Sequence, residues 1–286
     1  MMPWQQAAAQ EAQLVTEQKL SSGFVILTAY REFKEGVDVM KALEKKPLNG
    51  AMAWVGKPSA LLAISNAVMR DPRVFHFDCP DWIEKYNQQV MFEAEFHKAW
   101  KDGGANVVME RAPARLAIEG WDAVRPALST TIRAWIMCGF MAKSTGRHLV
   151  AMEFYSRVVN ILDWGRRVWQ NVSKDDRGVI FEKTFVRGVK RLRLAALHEC
   201  LAAKENGCQY NRNDMAEWSR DLISETEANP PSPNDQLDPG FFASFWLYPK
   251  AEAFSMMPTW NSSNLPSTIF SQLKAILTMR NASRHS

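Results

Sequence analysis

The stretch from Ile132 to Gly165 limits the possible folds more than any other part of the chain, because its residues follow a helical period on both sides of one break. Before the break, one helical face carries Trp135, Cys138, Gly139 and Ala142. Polar residues and a glycine interrupt the period at 144–146, and it resumes with Ala151, Tyr155 and Val158. Small residues at a crossing let two helices approach closely while large ones fill the groove beside them. The stretch therefore predicts a helix hairpin.

Helical periodicity recurs along most of the chain, with proline or glycine near the ends of several periodic segments. We expect a capping helix over 5–18, a second helix hairpin over 21–46 and further helices near 59–71, 82–101, 108–124, 127–142, 179–204, 213–226 and 266–279. Residues 48–58 are predicted to form a loop or a short helix, and we find no convincing strand pattern. The predicted fold class is all-α, an irregular array of antiparallel helix hairpins with additional C-terminal helices.

A proline-rich segment divides this series near its end. The sequence NPPSPNDQLDPG excludes a regular helix there, because proline lacks the backbone N–H and restricts the residue before it. We predict a helical domain over 1–227, a connection over 228–239, and C-terminal helices over 240–286 that pack on the same domain.

Composition indicates a folded protein with no dominant charge. The chain is 47% hydrophobic and 23% charged, which excludes a disordered class. Its 35 basic and 31 acidic residues are too balanced to indicate nucleic acid binding. The four cysteines form no CxxC pair, the N-terminus lacks a signal-peptide pattern, and no apolar run is long enough to span a membrane. These features predict a soluble intracellular protein, cytoplasmic or nuclear.

The residues of the 132–165 hairpin resemble a tetratricopeptide repeat, a unit of about 34 residues. The positions that carry the resemblance are Trp135, Cys138, Gly139, Ala142, Ala151, Tyr155, Val158 and Asp163. Cys, Val and Asp depart from the pattern, in which Leu, Ala and Pro are expected. Ala60, Ile64, Ala67 and Pro72 match the second half of such a repeat. The many tryptophans and degenerate repeats are also similar to uncharacterised fungal proteins of this superfamily.

The resemblance implies a scaffold that binds a peptide or helix of another protein in a concave helical groove, without chemistry or a cofactor of its own. Some members grip an acidic C-terminus with a clamp of basic residues and asparagine. Arg133, Lys143 and Arg147 do not fall at the spacing of that clamp.

The helix predicted over 179–204 carries the candidate binding residues. Arg187, Lys190 and Arg191 share one side of it. One interpretation is a solvated face whose charges pair with Glu217, Asp221 and Glu225 of the next helix. The other is a groove for an anionic partner. We expect another protein as the partner and not nucleic acid, because stacking aromatics are not interleaved with these charges.

An all-helical enzyme or small-molecule binder with a tryptophan-lined cavity stays open as the alternative, because the chain contains 11 Trp. Asp78 and Asp81 resemble one acidic motif of class I terpene synthases, but Pro80 disrupts the helix that must present it. A second motif, near Asn213, Ser219 and Glu225, has the wrong spacing.

No metal site is expected either. The histidines and cysteines at 76, 79, 198, 200 and 208 lack the paired spacing of zinc ligands.

Overall fold

A computed structural model describes residues 1–16, 21–48, 50–232 and 235–257. The described chain is mostly helical, as the all-α prediction requires, and it contains one two-stranded sheet. The elements of its first half are α1 Pro3–Thr16, α2 Ser22–Lys41, β1 Glu44–Leu48, β2 Ala51–Val55, α3 Ala60–Arg70, α4 Trp82–Phe96 and α5 Ala105–Glu119.

The second half is helical throughout its regular elements. They are α6 Trp121–Ser144, α7 His148–Val168, α8 Lys174–Arg177, α9 Lys183–Ala202, α10 Arg212–Ala228, α11 Pro239–Phe242 and α12 Tyr248–Ser255. A π-helical turn, Ala243–Leu247, joins the last two, and short 3-10 turns lie at Pro72–Val74 and Val179–Phe181. Helix α2 packs on α3, α3 on α6, α6 on α7, α7 on α9, and α9 on α10.

The stretch 132–165 folds as two packed helices joined by a short turn, so that α6 and α7 run antiparallel. Gly139 lies at their crossing, where an added Cβ would stand 2.7 Å from Cε1 of the buried Tyr155. Both helices extend beyond the predicted ends. Pro126 lies inside α6 instead of before it, and α7 continues past Asp163 to Val168. The close approach expected from the small residue is therefore present.

Residues 21–46 do not form the predicted helix hairpin. Helix α2 runs without a break from Ser22 to Lys41, and its Phe33 is buried. At Gly36 the two helices approach closely, because an added Cβ would stand 2.6 Å from Cγ1 of Ile64 on α3. This glycine therefore lies at a helix crossing.

The loop or short helix predicted over 48–58 is largely a β-strand. Strands β1 and β2 pair antiparallel with Glu44 opposite Val55 and Leu48 opposite Ala51. Every residue of β1 is exposed, and β2 is exposed or half-buried. A strand with no buried face lacks the alternation of apolar and polar residues by which strands are recognised in sequence.

The chain returns to its N-terminal half after the proline-rich connection. Helix α11 packs on α2, α12 packs on α9 and α10, and the π-helical turn contacts α9. Val25 of α2 forms a small apolar cluster with Ala243 and Tyr248. The Tyr248 backbone N–H donates to the Ala243 carbonyl, just before Pro249, which has no N–H to donate. The helix predicted over 266–279 lies outside the described residues.

Candidate functional sites

Arg187 is an interior residue of the structure. It is 1% exposed, and its Nε and Nη2 bind the Glu225 carboxylate at 2.8 and 3.3 Å. Its Nη1 donates to the Phe245 carbonyl oxygen at 2.6 Å. The pairing with Glu225 follows the first sequence interpretation, but the face is covered and not solvated.

Arg191 is buried beside it and connects three parts of the chain. Its Nη2 donates to the Met69 carbonyl oxygen at 3.0 Å, and its Nη1 to that of Ser244 at 3.3 Å. Its Nε lies 3.6 Å from a carboxylate oxygen of Glu252. The guanidinium group therefore ties α9 to the end of α3 and to the C-terminal segment.

Lys190 points toward a different neighbour. Its Nζ lies 3.8 Å from Oδ1 of Asp163 on α7, and its side chain remains partly exposed. The three residues expected to form one groove are thus divided between a buried contact and a partly exposed ion pair. In the structure, Arg187 and Arg191 bind other parts of this chain.

Aromatic rings of the C-terminal segment cover these arginines. The guanidinium carbon of Arg187 lies 5.1 Å from the ring centroid of Trp246, and that of Arg191 lies 5.7 Å from the ring centroid of Tyr248. We call this contact between α9 and residues 239–255 the C-terminal interface. The sequence shows the basic residues but not the distant segment that returns to cover them.

A surface groove lies between the β-hairpin and α4. This hairpin groove has a volume of about 810 Å³ and is lined by Trp54, Pro80, Asp81, Ile83, Glu84, Asn87, Gln88 and Met91. Its apolar wall is open to solvent, since Ile83 is 44% exposed and Met91 is 60% exposed. Exposed apolar residues that adjoin one another mark an interaction surface more often than single ones do.

The local sequence explains why these side chains face outward. Trp82 and Tyr86 of α4 are buried against the core, and Ile83 and Met91 lie on a different side of the helix, where they are exposed. Trp54 stands on β2 opposite Lys45, whose Nζ lies 4.9 Å from the Trp54 ring centroid. The β-hairpin thereby supplies the second wall of the groove.

The rim of the hairpin groove is acidic. Asp81 binds the Lys85 ammonium group, and this hydrogen bond lowers the pKa of the Asp81 carboxyl. Glu84 accepts a hydrogen bond from Nε2 of Gln88 at 3.0 Å. A basic side chain that approaches Glu84 would gain a charge-assisted hydrogen bond.

Asp78, Asp81 and His76 are each in contact with other groups of the protein. Asp78 binds Nζ of Lys41 at 2.5 Å, and Asp81 binds Lys85. His76 is in hydrogen-bond contact through Nδ1 with the Val74 carbonyl oxygen and stacks on Trp4. Among the described residues, no group of His, Cys, Asp and Glu is arranged to hold a metal ion.

Several tryptophans fill the interior. Trp169 contacts the rings of Trp121, Trp164 and Phe181 in edge-to-face arrangements and is itself buried. Trp82 stacks on Tyr86 of the same helix, α4. These rings pack against one another, which is the common arrangement for large aromatic side chains in a core.

Comparison with family models, with curated proteins and with solved structures found no match for the chain. The helices in the described part were also searched for membrane spans, and none has both the length and the apolar composition that a span requires.

Proposed function

We propose that the protein is a non-enzymatic interaction module that binds an amphipathic helix of another protein in the hairpin groove. The observation that carries this proposal is the apolar wall formed by the exposed Ile83 and Met91 and the half-buried Trp54. The class of function is the one that the tetratricopeptide resemblance implies. The proposed binding surface is not formed by the helices that carry this resemblance.

The shape of the groove favours a helix as the occupant. Ile83, Asn87 and Met91 follow one another at intervals of one helical turn along α4 and form a ridge about 12 Å long. A second helix packs against such a ridge by placing its own side chains in the spaces on either side. The groove matches about two turns of a bound helix.

The charges on the rim specify which helix fits. Asp81 is already paired with Lys85, whereas Glu84 contacts the neutral amide of Gln88. A partner helix with apolar residues on one stripe and a lysine or arginine beside it would fill the apolar wall and meet Glu84. Complementary charge of this kind contributes to specificity and to the rate of association.

Affinity capture from the cells that make the protein, followed by direct titration of the purified partner, tests the proposal. The double variant Ile83→Ser/Met91→Ser removes the apolar wall from exposed positions and should weaken binding at least about tenfold. Glu84→Lys should weaken binding of the same partner by a smaller factor, and it should do so more strongly at low salt.

Ile118→Ser is the matched control, because Ile118 is 84% exposed on α5, outside the hairpin groove. It should leave the dissociation constant unchanged. Equal affinity of the wild type and the double variant for the purified partner would place the binding surface elsewhere and refute the proposal.

A further inference from the structure

A second cavity lies on the other side of α4, between α3, α6 and the segment after α8. This Arg133 cavity has a volume of about 470 Å³. Polar groups of Glu93, His97 and Arg133 reach it, and apolar walls come from Leu61, Leu62 and Val179. Its size falls in the range of cavities that hold small molecules.

Arg133 is the unusual group in this cavity, because it is 2% exposed and its hydrogen-bond partners are neutral. Nε donates to Oγ of Ser129 at 3.1 Å, while Nη1 donates to Oγ of Ser65 and to Oδ1 of Asn66, both at 2.7 Å. In the described part of the chain, no carboxylate is paired with its guanidinium group, and Glu32 and Glu93 act on it only through longer-range charge. Buried charges in proteins are ordinarily paired.

These hydrogen bonds leave one end of the guanidinium group for a ligand. Nε and Nη1 are occupied, and the Phe185 ring lies against the group with its centroid 5.0 Å from the guanidinium carbon. Among the described residues, Nη2 makes no hydrogen bond, while Arg133 lines the cavity. Burial lowers the pKa of Arg133 to about 10, so the group still carries its positive charge at neutral pH.

Glu93 does not neutralise this charge by direct contact. Its Oε1 accepts hydrogen bonds from the Leu61 backbone N–H at 3.0 Å and from Nε2 of Gln89 at 2.8 Å. Burial is the largest influence on the Glu93 carboxyl and raises its pKa. The Glu93 carboxyl group therefore acts on Arg133 only from beyond hydrogen-bond distance, and Nη2 of Arg133 remains available to one external anion.

We propose that the Arg133 cavity binds a small monocarboxylate with an apolar body. The ligand carboxylate would accept hydrogen bonds from Nη2 of Arg133, and its body would lie against Leu62 and Val179. One negative charge balances Arg133. Apart from Arg133 and Glu93, the lining holds two basic residues, Arg125 and Lys174, and two acidic residues, Asp122 and Asp175. The second charge of a phosphate would therefore meet no net positive charge there.

The site differs from the tryptophan-lined cavity considered from the sequence, because its apolar walls are formed by leucine, valine, isoleucine and proline side chains. It is also separate from the hairpin groove, whose lining residues are a different set. The two proposals therefore stand or fall independently.

Calorimetric titration with 4-phenylbutyrate and with its neutral amide, 4-phenylbutyramide, tests the charge requirement. We expect saturable binding of one acid molecule per chain and at least about tenfold weaker binding of the amide, because a charge-assisted hydrogen bond is about twice as strong as a neutral one. Inorganic phosphate should not compete with the acid. Equal binding of acid and amide, or no saturable binding of the acid, overturns the proposal.

Two variants locate the binding to this cavity. Leu62→Trp fills the cavity from a position that is 46% exposed and leaves Arg133 in place, so it should abolish binding of the acid without loss of folding. Ile118→Trp places the same ring on the outer surface of α5 and should bind the acid like the wild type. Retained binding by Leu62→Trp would overturn the assignment.

Discussion

The C-terminal interface and the Arg133 cavity each bury an arginine, but the two guanidinium groups have different kinds of hydrogen-bond partner. Arg187 binds the Glu225 carboxylate through two nitrogens and a backbone carbonyl through the third. Arg133 binds two hydroxyl groups, an amide oxygen and a backbone carbonyl oxygen. Burial alone thus does not define the role of an arginine. A carboxylate within contact distance makes Arg187 part of the packing, and neutral partners leave the charge of Arg133 open to an external anion.

The largest expected effect is at the C-terminal interface. Arg187→Met removes one member of a buried ion pair and leaves the Phe245 carbonyl oxygen without its donor. We expect a loss of about 3 kcal/mol in the free energy of unfolding, measured by urea denaturation. Arg31→Met is the control, because Arg31 pairs with Glu11 on the surface and should change stability by less than about 1 kcal/mol. Similar losses for both variants would contradict the structural role of Arg187.

Arg133→Met should cost less than Arg187→Met. The substitution removes hydrogen bonds to neutral acceptors, but it also removes a buried charge that has no carboxylate in contact. We expect a loss of about 1 kcal/mol in the free energy of unfolding. The same urea titration compares the two methionine variants directly. A loss for Arg133→Met that equals or exceeds that for Arg187→Met would remove the distinction between the two arginines.

Glu93 in the Arg133 cavity should make the stability of the protein depend on pH. Burial raises the pKa of Glu93 above its ordinary value of 4.5, so the folded state holds this proton more tightly than the unfolded state. Its contribution to stability is full below pH 4.5 and is lost as pH rises through the folded-state pKa. Relative to Glu93→Gln, the wild type should therefore lose stability between pH 4.5 and neutral pH.

Thermal unfolding of both proteins across that range checks the sign. If the wild type instead becomes more stable relative to Glu93→Gln as pH rises, the pKa of the Glu93 carboxyl is not raised. Asp78→Asn provides the opposite case, since the hydrogen bond from Lys41 helps to lower the pKa of Asp78 although burial acts against it.

The smallest effect is expected at Lys190, the third residue of the predicted basic groove. Its partner Asp163 is 3.8 Å away, and both side chains are partly exposed. Lys190→Met should change the free energy of unfolding by less than about 0.5 kcal/mol, because solvent screens such pairs. A change comparable with that of Arg187→Met would mean that the two residues act as one unit.

The sequence predicts local features of the fold better than it predicts distant contacts. The small residue Gly139 indicates a close helix crossing, and the structure has Tyr155 packed against it. The pattern around Phe33 and Gly36 is equally consistent with a hairpin and with one long helix, because glycine suits both a turn and a crossing. Only the packing of α3 against Gly36 distinguishes them.

The candidate sites are also difficult to predict from the sequence, because they depend on contacts between distant parts of the chain. The charge pattern of α9 identifies Arg187 and Arg191, but their burial depends on a segment that begins at residue 239. The cavity around Arg133 depends on residues of α3 and α4, and no local sequence pattern reveals these contacts. In the hairpin groove, Trp54 and Met91 come from separate elements, so their sequence positions give no sign of their proximity.

Ligand-dependent stability most directly tests the claim that the partner of a buried arginine determines its role. Urea unfolding of the wild type, Arg133→Met and Lys190→Met is measured with and without 4-phenylbutyrate at about 100 times the wild-type dissociation constant. The wild type and Lys190→Met should each gain about 2.7 kcal/mol, and Arg133→Met should gain much less. An equal gain in all three proteins, or no gain in the wild type, would contradict the assignment of Arg133 to an external anion.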